Sequence, residues 1–346
     1  MNKKSEIEIH IYSINNLKDW IYRSMDVGLS ENLISNARAL ALTQNPNARD
    51  FDPAIAVAYD GAKAVGYTAV FADKWCDEPI FWGTTGYIDA SMRGRGVGTR
   101  LYSSMMQACN NQWFASDSGP AALTISKKTG LGIYYFSRYY LSFSQTKSLK
   151  STILAKMVQR ANRKVLAHLN LSTHLEITRY VDDKTYAFIT QHAQLDLFHR
   201  SQKMLNWILQ CPFKASAPAD LAAYSDYEFT ATLPQYNIYA FRILLNDKLI
   251  GFAMFRLTMG DLTLLYLYTD ITFANEVYAS LVKHILNQRI IRFRTFDKGL
   301  IDYYSRIGAK SMNTKSRIQQ ISLSVPANVN IDPSKVIQGG DGDMFC

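Results

Sequence analysis

Cysteine is scarce in this sequence, and the patterns that cysteine-based sites require are missing. The four cysteines are spread over 346 residues without C-x-x-C spacing and without clustering with histidines; they are Cys76, Cys109, Cys211 and Cys346. Neither a zinc site nor a disulfide framework is predicted from them. We therefore expect reduced cysteines in a cytoplasmic protein that holds no metal.

Long apolar runs are missing as well. The densest apolar stretch, residues 262–268, is far too short to cross a bilayer as a helix. The first residues begin with a polar run and then alternate polar and apolar side chains, unlike the apolar segment of a secretory signal. The sequence predicts a soluble protein without a membrane partner.

Length and composition indicate a globular chain with two domains. Apolar residues make up 48% of the sequence and charged residues 19%, which is typical of globular proteins. A chain of 346 residues exceeds what one hydrophobic core usually covers. The net charge of +9 is compatible with a nucleic acid, an anionic membrane surface or an anionic small ligand. The densest basic stretch, residues 147–164, has helical spacing, which predicts a packed linker helix with a solvated basic face.

The first half alternates strand and helix patterns around a glycine-rich loop. Asp60-Gly61 is a strong hairpin signal between two apolar runs. The predicted strands are 6–12, 55–59, 64–72, 84–90 and 121–126, and the predicted helices are 16–25, 30–44, 97–113 and a short aromatic one at 132–140.

The second half repeats much of this order, which predicts an internal duplication. Residues 64–67 align with 249–252, and residues 135–138 align with 303–306. The predicted strands are 174–180, 239–245, 249–257, 262–269 and 290–296, and the predicted helices are 183–194, 201–210, 273–288 and one that ends before Gly308.

The glycine-rich loop is the segment that carries chemistry. A strand runs into the alternating glycines Gly94, Gly96 and Gly98 and then into an amphipathic helix. Free backbone NH groups and the positive end of a helix dipole therefore converge on one place, which favours a phosphate. The loop also holds three arginines that can pair with a pyrophosphate, namely Arg93, Arg95 and Arg100.

Two common phosphate motifs do not fit this loop. A P-loop needs a lysine after the last glycine, and a dinucleotide fingerprint needs glycine where Thr99 stands. The pattern that does fit is R-x-x-G-x-G between a strand and a helix, with Arg93, Gly96 and Gly98 at the fixed positions. This pattern resembles motif A of the GNAT superfamily of acetyltransferases, in which the loop holds the CoA pyrophosphate.

The resemblance implies an α+β fold of two GNAT-like domains, each a mixed, mainly antiparallel sheet flanked by helices. We place an acetyl-CoA-binding GNAT domain at 1–147, a linker helix at 148–171, a degenerate GNAT-like domain at 172–325 and a C-terminal tail at 326–346. The second half has Asp-Ile-Thr at 270–272, with no glycine and no arginine where the loop would be. We therefore expect one acetyl-CoA per chain, bound in the first half.

The resemblance also implies roles for individual residues. Backbone groups of Ile88 and Ala90 would bind the pantetheine arm, and the loop would bind the pyrophosphate through Arg93, Gly94, Arg95, Gly96, Val97, Gly98 and Thr99. In this family a tyrosine, followed four and five residues later by Gly-Phe, often protonates the departing thiolate. Tyr134 and Tyr135 are the candidates, although Tyr139-Tyr140 stands where Gly-Phe would be and packing in an aromatic core is an equal alternative.

The reaction implied is direct transfer of an acetyl group to an amine of a small molecule or a protein. Because alkylamines are protonated near pH 7, a base must remove a proton. Asp89 is the nearest carboxylate to the loop in sequence, and Asp77 and Glu78 are the next candidates. We expect the tail at 326–346 to fold back toward the cleft between the domains, where Met344 and Phe345 anchor its end and Asp341 and Asp343 face a cationic acceptor.

Two other classes of function stay open. One is a non-catalytic protein that senses acyl-CoA or regulates a partner. The other is an aminoacyl-tRNA-dependent transferase, which would suit the basic linker but fits an intact loop at 93–98 poorly, because such relatives lack a functional CoA loop. A nucleic acid is therefore not the expected partner.

Overall fold

The computed structural model describes residues 7–24, 36–143, 149–169, 171–210, 215–216, 232–233, 235–288, 290–312 and 317–342. The first half begins with strand and helix in alternation and then forms a hairpin-rich sheet. Its elements are β1 (Ile7–Ser13), α1 (Ile14–Ser24), α2 (Asn36–Thr43), β2 (Pro53–Asp60), β3 (Lys63–Trp75), β4 (Glu78–Ile88), a 3₁₀ turn (Ala90–Met92), α3 (Val97–Ala108), β5 (Trp113–Ser116), α4 (Pro120–Lys128) and β6 (Gly132–Ser142).

The second half follows a long helix and repeats this order. Its elements are α5 (Leu149–His168), β7 (Thr173–Thr178), α6 (Asp183–His192), α7 (Gln202–Gln210), β8 (Ala215–Ser216), β9 (Thr232–Leu233), β10 (Tyr236–Leu245), β11 (Lys248–Thr258), β12 (Asp261–Thr269), a 3₁₀ turn (Ile271–Phe273), α8 (Ala274–Asn287), β13 (Arg292–Thr295), α9 (Lys298–Arg306) and β14 (Arg317–Val325).

One continuous sheet joins the two halves. Its twelve strands lie in the order β1-β2-β3-β4-β5-β14-β6-β13-β12-β11-β10-β7. The neighbours pair antiparallel except β4 with β5 and β12 with β13, which are parallel. The last strand, β14, lies between β5 and β6 of the first half. The halves therefore exchange a strand, and β6 in turn pairs with β13.

The duplication is visible in the irregularities of the sheet as well as in its order. The β2–β3 ladder shifts register at Ala58/Tyr59, and the β10–β11 ladder shifts at Ile243/Leu244. Residues 64–67 and 249–252 occupy matching places, because Gly66 pairs with Ile88 and Gly251 pairs with Thr269. The second alignment was wrong: residues 135–138 lie in β6, whereas 303–306 lie in α9.

Two elements of the first half differ from the sequence prediction. Residues 121–126 form helix α4 rather than a strand, and Pro120 at its first turn fits a helix start. Residues 132–140 form strand β6 rather than a short helix, in agreement with the strand preference of its aromatic residues. The short buried strand β5 was not predicted.

Three apolar cores hold the helices on the sheet. Helix α3 packs Leu101 and Met105 on the first half, and α8 packs Leu281 and Ile285 on the second. The third core spans both halves and brings β4 and β14 together with α6 and α7; Trp82 is fully buried in it. The cores therefore continue across the junction between the halves, as the sheet does.

The basic stretch forms helix α5, as predicted, and packs on one side only. Ala155 and Val158 are buried, whereas Ile153, Leu154 and Met157 are exposed. Among the described residues, no helix combines the length and the apolar character needed to cross a membrane.

Candidate functional site

The candidate site begins where strands β4 and β5 separate. Their parallel ladder covers three pairs and ends where Gly83 pairs with Ala115. A Cβ on Gly83 would overlap the ring of Trp113, so this close approach requires glycine. From there β4 continues to Ile88 along β3, and on the side of β5 its residues 84–88 pair with no strand in the described part of the chain. We call this place the opening between β4 and β5.

Asp89 turns the chain from β4 into the loop. Its backbone NH donates to the carbonyl of Val65 at 2.9 Å, and its carboxylate accepts from the backbone NH of Ser91 at 2.9 Å and from the Ser91 hydroxyl at 2.7 Å. Asp89 is therefore the cap of the 3₁₀ turn at 90–92.

Two glycines of the loop adopt a backbone conformation that other residues could adopt only with strain. Gly94 and Gly96 have φ values of +78° and +80°, and the space where a Cβ would stand is open at both. Gly96 is also the residue that caps helix α3. The chain can therefore curl around a ligand at this point without a side chain in the way.

Helix α3 presents free NH groups to this space. The NH of Arg100 donates to the carbonyl of Gly96 at 3.1 Å, so the NH groups of Val97, Gly98 and Thr99 precede the first helical hydrogen bond. These NH groups and the helix dipole favour an anion at the start of α3. The residues present therefore fit a pyrophosphate.

The three loop arginines have different environments. Arg93 is exposed, and its Nε donates to the carbonyl of Ile88 at 3.2 Å. Arg95 is exposed, with Nη1 3.1 Å from the sulfur of Met92. Arg100 differs, because its Nη2 donates to the carbonyl of Ile7 at 2.6 Å and thereby ties α3 to β1. Arg93 and Arg95 are the two placed for a ligand.

The second half has the same turn without the loop. Asp270 repeats the bonds of Asp89, because its NH donates to Ile250 and its carboxylate accepts from the NH of Thr272 at 3.0 Å. A lysine pairs with the carboxylate in both halves, at 3.7 Å for Lys63–Asp89 and 3.4 Å for Lys248–Asp270. However, α8 begins at Ala274, directly after the turn at 271–273. The counterpart of residues 93–96 is missing.

The tyrosines predicted as proton donors lie on a strand. Tyr134 and Tyr135 are on opposite faces of β6, opposite Leu323 and Ser322 of β14. The Tyr134 hydroxyl donates to the carbonyl of Val329 at 3.3 Å, and Tyr135 is 54% exposed. The helix on which their assignment was based is absent here, and their catalytic role stays a prediction.

A Gly-Leu pair follows helix α4, at the spacing from Ser126 that the sequence analysis sought between a tyrosine and Gly-Phe. Helix α4 ends before Gly130, which has a φ of +80°, and Leu131 is the next residue. The residue four positions before this Gly-Leu pair is Ser126. Ser126 is fully buried, and its hydroxyl donates to the carbonyl of Ala122 at 3.1 Å. The pair Gly130-Leu131 was the signal in the sequence that could have located this position.

The three carboxylates predicted as bases lie at the cap of the 3₁₀ turn, in a hairpin turn and at the start of a strand. Hydrogen bonds from Ser91 lower the pKa of Asp89, which makes it a weaker proton acceptor. Asp77 has a φ of +65° in the hairpin turn before β4, and Glu78 is the first residue of that strand. The loop lies at the opposite end of β4, so Asp77 and Glu78 are remote from it.

A buried ionic cluster lies beside the opening between β4 and β5. The guanidinium of Arg200 pairs with Asp73 of β3, and its Nε lies 3.4 Å from Asp341 and 3.1 Å from the hydroxyl of Tyr266. The indole of Trp82 donates to Asp73 at 2.8 Å. Burial raises the pKa of Asp341 to about 7. This cluster, which the sequence analysis missed, connects both halves with the tail.

The tail lies against the junction between the halves. Its residue Gly340 donates to Leu265 at 2.8 Å, and a Cβ there would overlap the ring of Tyr266. Gly342 contacts Ser116 of β5 and Trp82 of β4 so closely that it also has no room for a Cβ. The described tail therefore reaches the point where the two strands separate.

The described part of the tail lies at the junction between the halves, as predicted, but Asp341 does not have the predicted role. Asp341 is fully buried and pairs with Arg200, so it does not face an open cleft. Gln338 strengthens the contact, because its NH donates to Asp341 at 2.7 Å and its amide nitrogen donates to Asp196 at 3.1 Å. Asp343 lies outside the described residues.

Comparisons with known proteins show the fold. No protein-family model matches the chain, and no curated protein sequence does. Among solved structures, a GCN5-related N-acetyltransferase from Kribbella flavida is 12% identical with a TM-score of 0.51, over 94% of this chain and 72% of that one. A tandem GNAT protein from the clavulanic acid biosynthesis pathway is 12% identical with a TM-score of 0.50, over 94% of this chain and 100% of that one.

The third structure contains a longer acyl group. It is Saccharomyces cerevisiae N-myristoyltransferase with bound myristoyl-CoA, which is 9% identical with a TM-score of 0.52, over 94% of this chain and 80% of that one. At these identities the likeness concerns the fold, and the chain has the fold of GNAT acetyltransferases.

Proposed function

We propose that this GNAT-fold chain is an N-acyltransferase that uses acyl-CoA, with acetyl-CoA as the first candidate donor, and transfers the acyl group directly to an amine. The observation that carries the proposal is the loop at 93–96 leading into α3. Its two left-handed glycines, three NH groups before the first helical bond and two exposed arginines suit a pyrophosphate.

Different groups of the chain would bind the pyrophosphate and the pantetheine arm of the donor. The NH groups of Val97, Gly98 and Thr99, with Arg93 and Arg95, would hold the pyrophosphate. Backbone groups of Ile88 and Ala90 would hold the pantetheine arm along the opening between β4 and β5. Bound acyl-CoA supplies the thioester, and the opening orients it toward the end of β5 and the tail.

Removal of the amine proton is the step that needs a base. Roughly one alkylamine molecule in a thousand is neutral at pH 7. Asp89 is a capping residue with a lowered pKa, and Ser126 stands four residues before Gly130-Leu131, the spacing at which the resemblance would expect a tyrosine. Tyr134, whose hydroxyl donates to the carbonyl of Val329 after β14, remains a candidate for protonating the thiolate, and Tyr135, which is exposed on the opposite face of β6, is the weaker candidate.

A thiol-release assay tests the proposal. Acetyl-CoA and longer acyl-CoA donors are incubated with the protein and a panel of amines that includes amino sugars, amino acids, polyamines and peptides. We expect amine-dependent release of CoA with at least one acceptor, and calorimetric titration with acetyl-CoA should reach one site per chain. A titration that reaches two sites per chain would contradict the assignment to the first half.

The second candidate is a protein that senses acyl-CoA without turning it over. Two observations favour it. Ser126 has no phenolic proton to give to a departing thiolate, and Gly342 of the tail packs against Trp82 and Ser116 and so occupies the place where β4 and β5 separate. Tight binding of acetyl-CoA without thiol release from any donor and amine would support this candidate and refute the transferase.

A further inference from the structure

Guanidinium groups gather on one face of the sheet where the two halves meet. Arg256 of β11 pairs with Thr263 of β12, and Thr263 pairs with Arg294 of β13. Arg294 pairs in turn with Tyr140 of β6. Directly paired residues point to the same face of a sheet. Arg292 and Arg138 lie two residues from Arg294 and Tyr140 and share this face. We call Arg138, Arg256, Thr263, Arg292 and Arg294 the central arginine cluster.

Positive charge exceeds the paired negative charge at three of these arginines. Arg138 pairs with Asp117 at 2.7 Å. Asp261 lies 2.6 Å from Arg294 and 3.8 Å from Arg292, so one carboxylate serves two arginines. Burial lowers the pKa of Arg294, and the neighbouring arginines lower it further. Among the described residues, these three guanidinium groups therefore share two carboxylates.

Several polar atoms in the cluster also have no hydrogen-bond partner within the described part of the chain. They are the Nε of Arg138, the Nε of Arg292 and the hydroxyl of Thr263. Thr263 is 5% exposed and Arg138 is 9% exposed, and a buried donor without a partner costs about 1–3 kcal/mol. The side chain of Arg292 is 40% exposed, so the cluster reaches the surface there, although the three unpartnered atoms themselves are buried. Unused donors and excess positive charge occur at the same place.

We propose that the central arginine cluster is a binding site for a phosphate-type oxyanion. A guanidinium presents two parallel NH groups that match two phosphate oxygens, and Arg292 can offer such a pair through its unused Nε. Arg138 adds its Nε alone, because its Nη1 donates to Asp117 and its Nη2 donates to Gln319 at 2.8 Å. The hydroxyl of Thr263 donates to a further oxygen. The oxyanion belongs either to a soluble phosphorylated molecule or to a lipid headgroup, which share this chemistry.

The site is separate from the loop at 93–99 and does not depend on the proposed acyl transfer. Arg138 connects the central arginine cluster to the junction between the halves, because it lies two residues after Phe136 on β6. Phe136 packs against Ile337 of the tail. Asp117, the partner of Arg138, follows Ser116, which Gly342 contacts. A ligand in the cluster would therefore lie on the face that the tail also covers.

Calorimetry on the full chain tests the proposal. Saturating CoA is present, so that the loop at 93–99 is not available to the probe, and the probes are inorganic phosphate and inorganic pyrophosphate. Phosphatidylcholine vesicles with and without phosphatidic acid form a second arm. Binding of the inorganic anions identifies a soluble ligand, and binding only to vesicles with phosphatidic acid identifies a headgroup; either result supports the site when Arg292→Gln or Arg294→Gln weakens it.

Variants connect the binding to these residues. Arg292→Gln and Arg294→Gln should each weaken binding by about tenfold or more. Arg242→Gln is the matched control, because the guanidinium of Arg242 already pairs with both Glu176 and Asp182; it should leave binding unchanged. Thr263→Val keeps the shape of the side chain and removes the unpartnered hydroxyl, so it should weaken binding several-fold while raising the melting temperature.

Three results would overturn the proposal. One is no binding of either inorganic anion or of acidic vesicles. Another is equal weakening by Arg242→Gln, which would indicate a nonspecific effect of charge. The third is unchanged binding in Thr263→Val, and this variant decides the question if the arginine variants do not fold.

Discussion

The two halves of this chain share the order of their strands, the register shifts in their first hairpins and an aspartate-capped turn, which follows β4 in the first half and β12 in the second. They differ in the segment between that turn and the next helix. In the first half, four residues with two left-handed glycines separate the turn from α3. In the second half, α8 follows the turn at once. Asp89 and Asp270 make the same bonds in both. The aspartate cap is therefore common to both halves, whereas the four residues that we propose to hold a pyrophosphate occur in the first half alone.

The first prediction tests whether the two halves unfold together or separately. Arg200→Met should lower the free energy of unfolding by about 3–5 kcal/mol, since it leaves the buried Asp73 and Asp341 without their cation. Urea unfolding measures the change, and we expect one cooperative transition. Arg179→Met, at an exposed arginine, is the control and should have little effect. Two separate transitions in the wild type would show that the halves fold independently.

The second prediction tests the difference at the loop directly. Gly96→Glu should weaken acetyl-CoA binding by about 100-fold or more, because a carboxylate would face the pyrophosphate and the backbone has a positive φ. Thr272→Glu places the same charge at the matching turn of the second half and should leave the affinity unchanged. Calorimetry measures both, and circular dichroism checks folding. Equal effects of the two variants would contradict the assignment.

The third prediction concerns the tail that joins the halves. Burial raises the pKa of Asp341 to about 7 and that of Asp196 to about 6. The folded state therefore binds these protons more tightly than the unfolded state. This contribution to stability is complete below about pH 4 and is lost as the pH rises through 6 and 7.

Asp341→Asn isolates the contribution of one carboxyl group. In the wild type we expect the free energy of unfolding to fall between pH 4 and pH 7, by roughly 1.4 kcal/mol for each unit by which the pKa of one of these groups is higher in the folded state than in the unfolded state. The variant should show a shallower fall. Urea titrations at several pH values measure it, and identical slopes for the two proteins would exclude a protonated Asp341 in the folded state.

The smallest effect is expected for Tyr135→Phe. Because Tyr135 lies on an exposed strand position, its loss should change kcat by no more than about twofold, below the range of about 10²–10⁴ typical of a catalytic acid. Tyr134→Phe is the companion variant, and thiol release measures both once an acceptor is known. A fall of kcat into the catalytic range for either variant would establish that tyrosine as the acid.

The loop could be predicted from the sequence because all its parts are contiguous. Glycines, arginines and the start of a helix lie within a few residues, and local backbone rules connect them to an anion. The repeat at 64–67 and 249–252 was also local and was confirmed, because each segment comes after a tight hairpin turn. The fold itself could be predicted from the order of these local elements.

Errors arose where two local signals disagreed or where the signal was not local. Residues 132–140 were predicted as a short helix, although their aromatic side chains favour a strand. Residues 121–126 were predicted as a strand, although Gly119-Pro120 is a helix start. The Arg200 cluster and the central arginine cluster unite residues from distant strands, so no window of sequence contains them.

The position of β14 has a consequence for synthesis on the ribosome. Strands β5 and β6 are made before their partner β14, which is encoded about 200 residues after β5. At a translation rate of 5–20 residues per second, the time between the synthesis of β5 and of β14 is about 10 to 40 seconds. During this time the newly made first half exposes two sheet edges that can pair with other chains. We expect a chain truncated before residue 317 to aggregate or to recruit chaperones, because its first sheet is completed only by the strand made last.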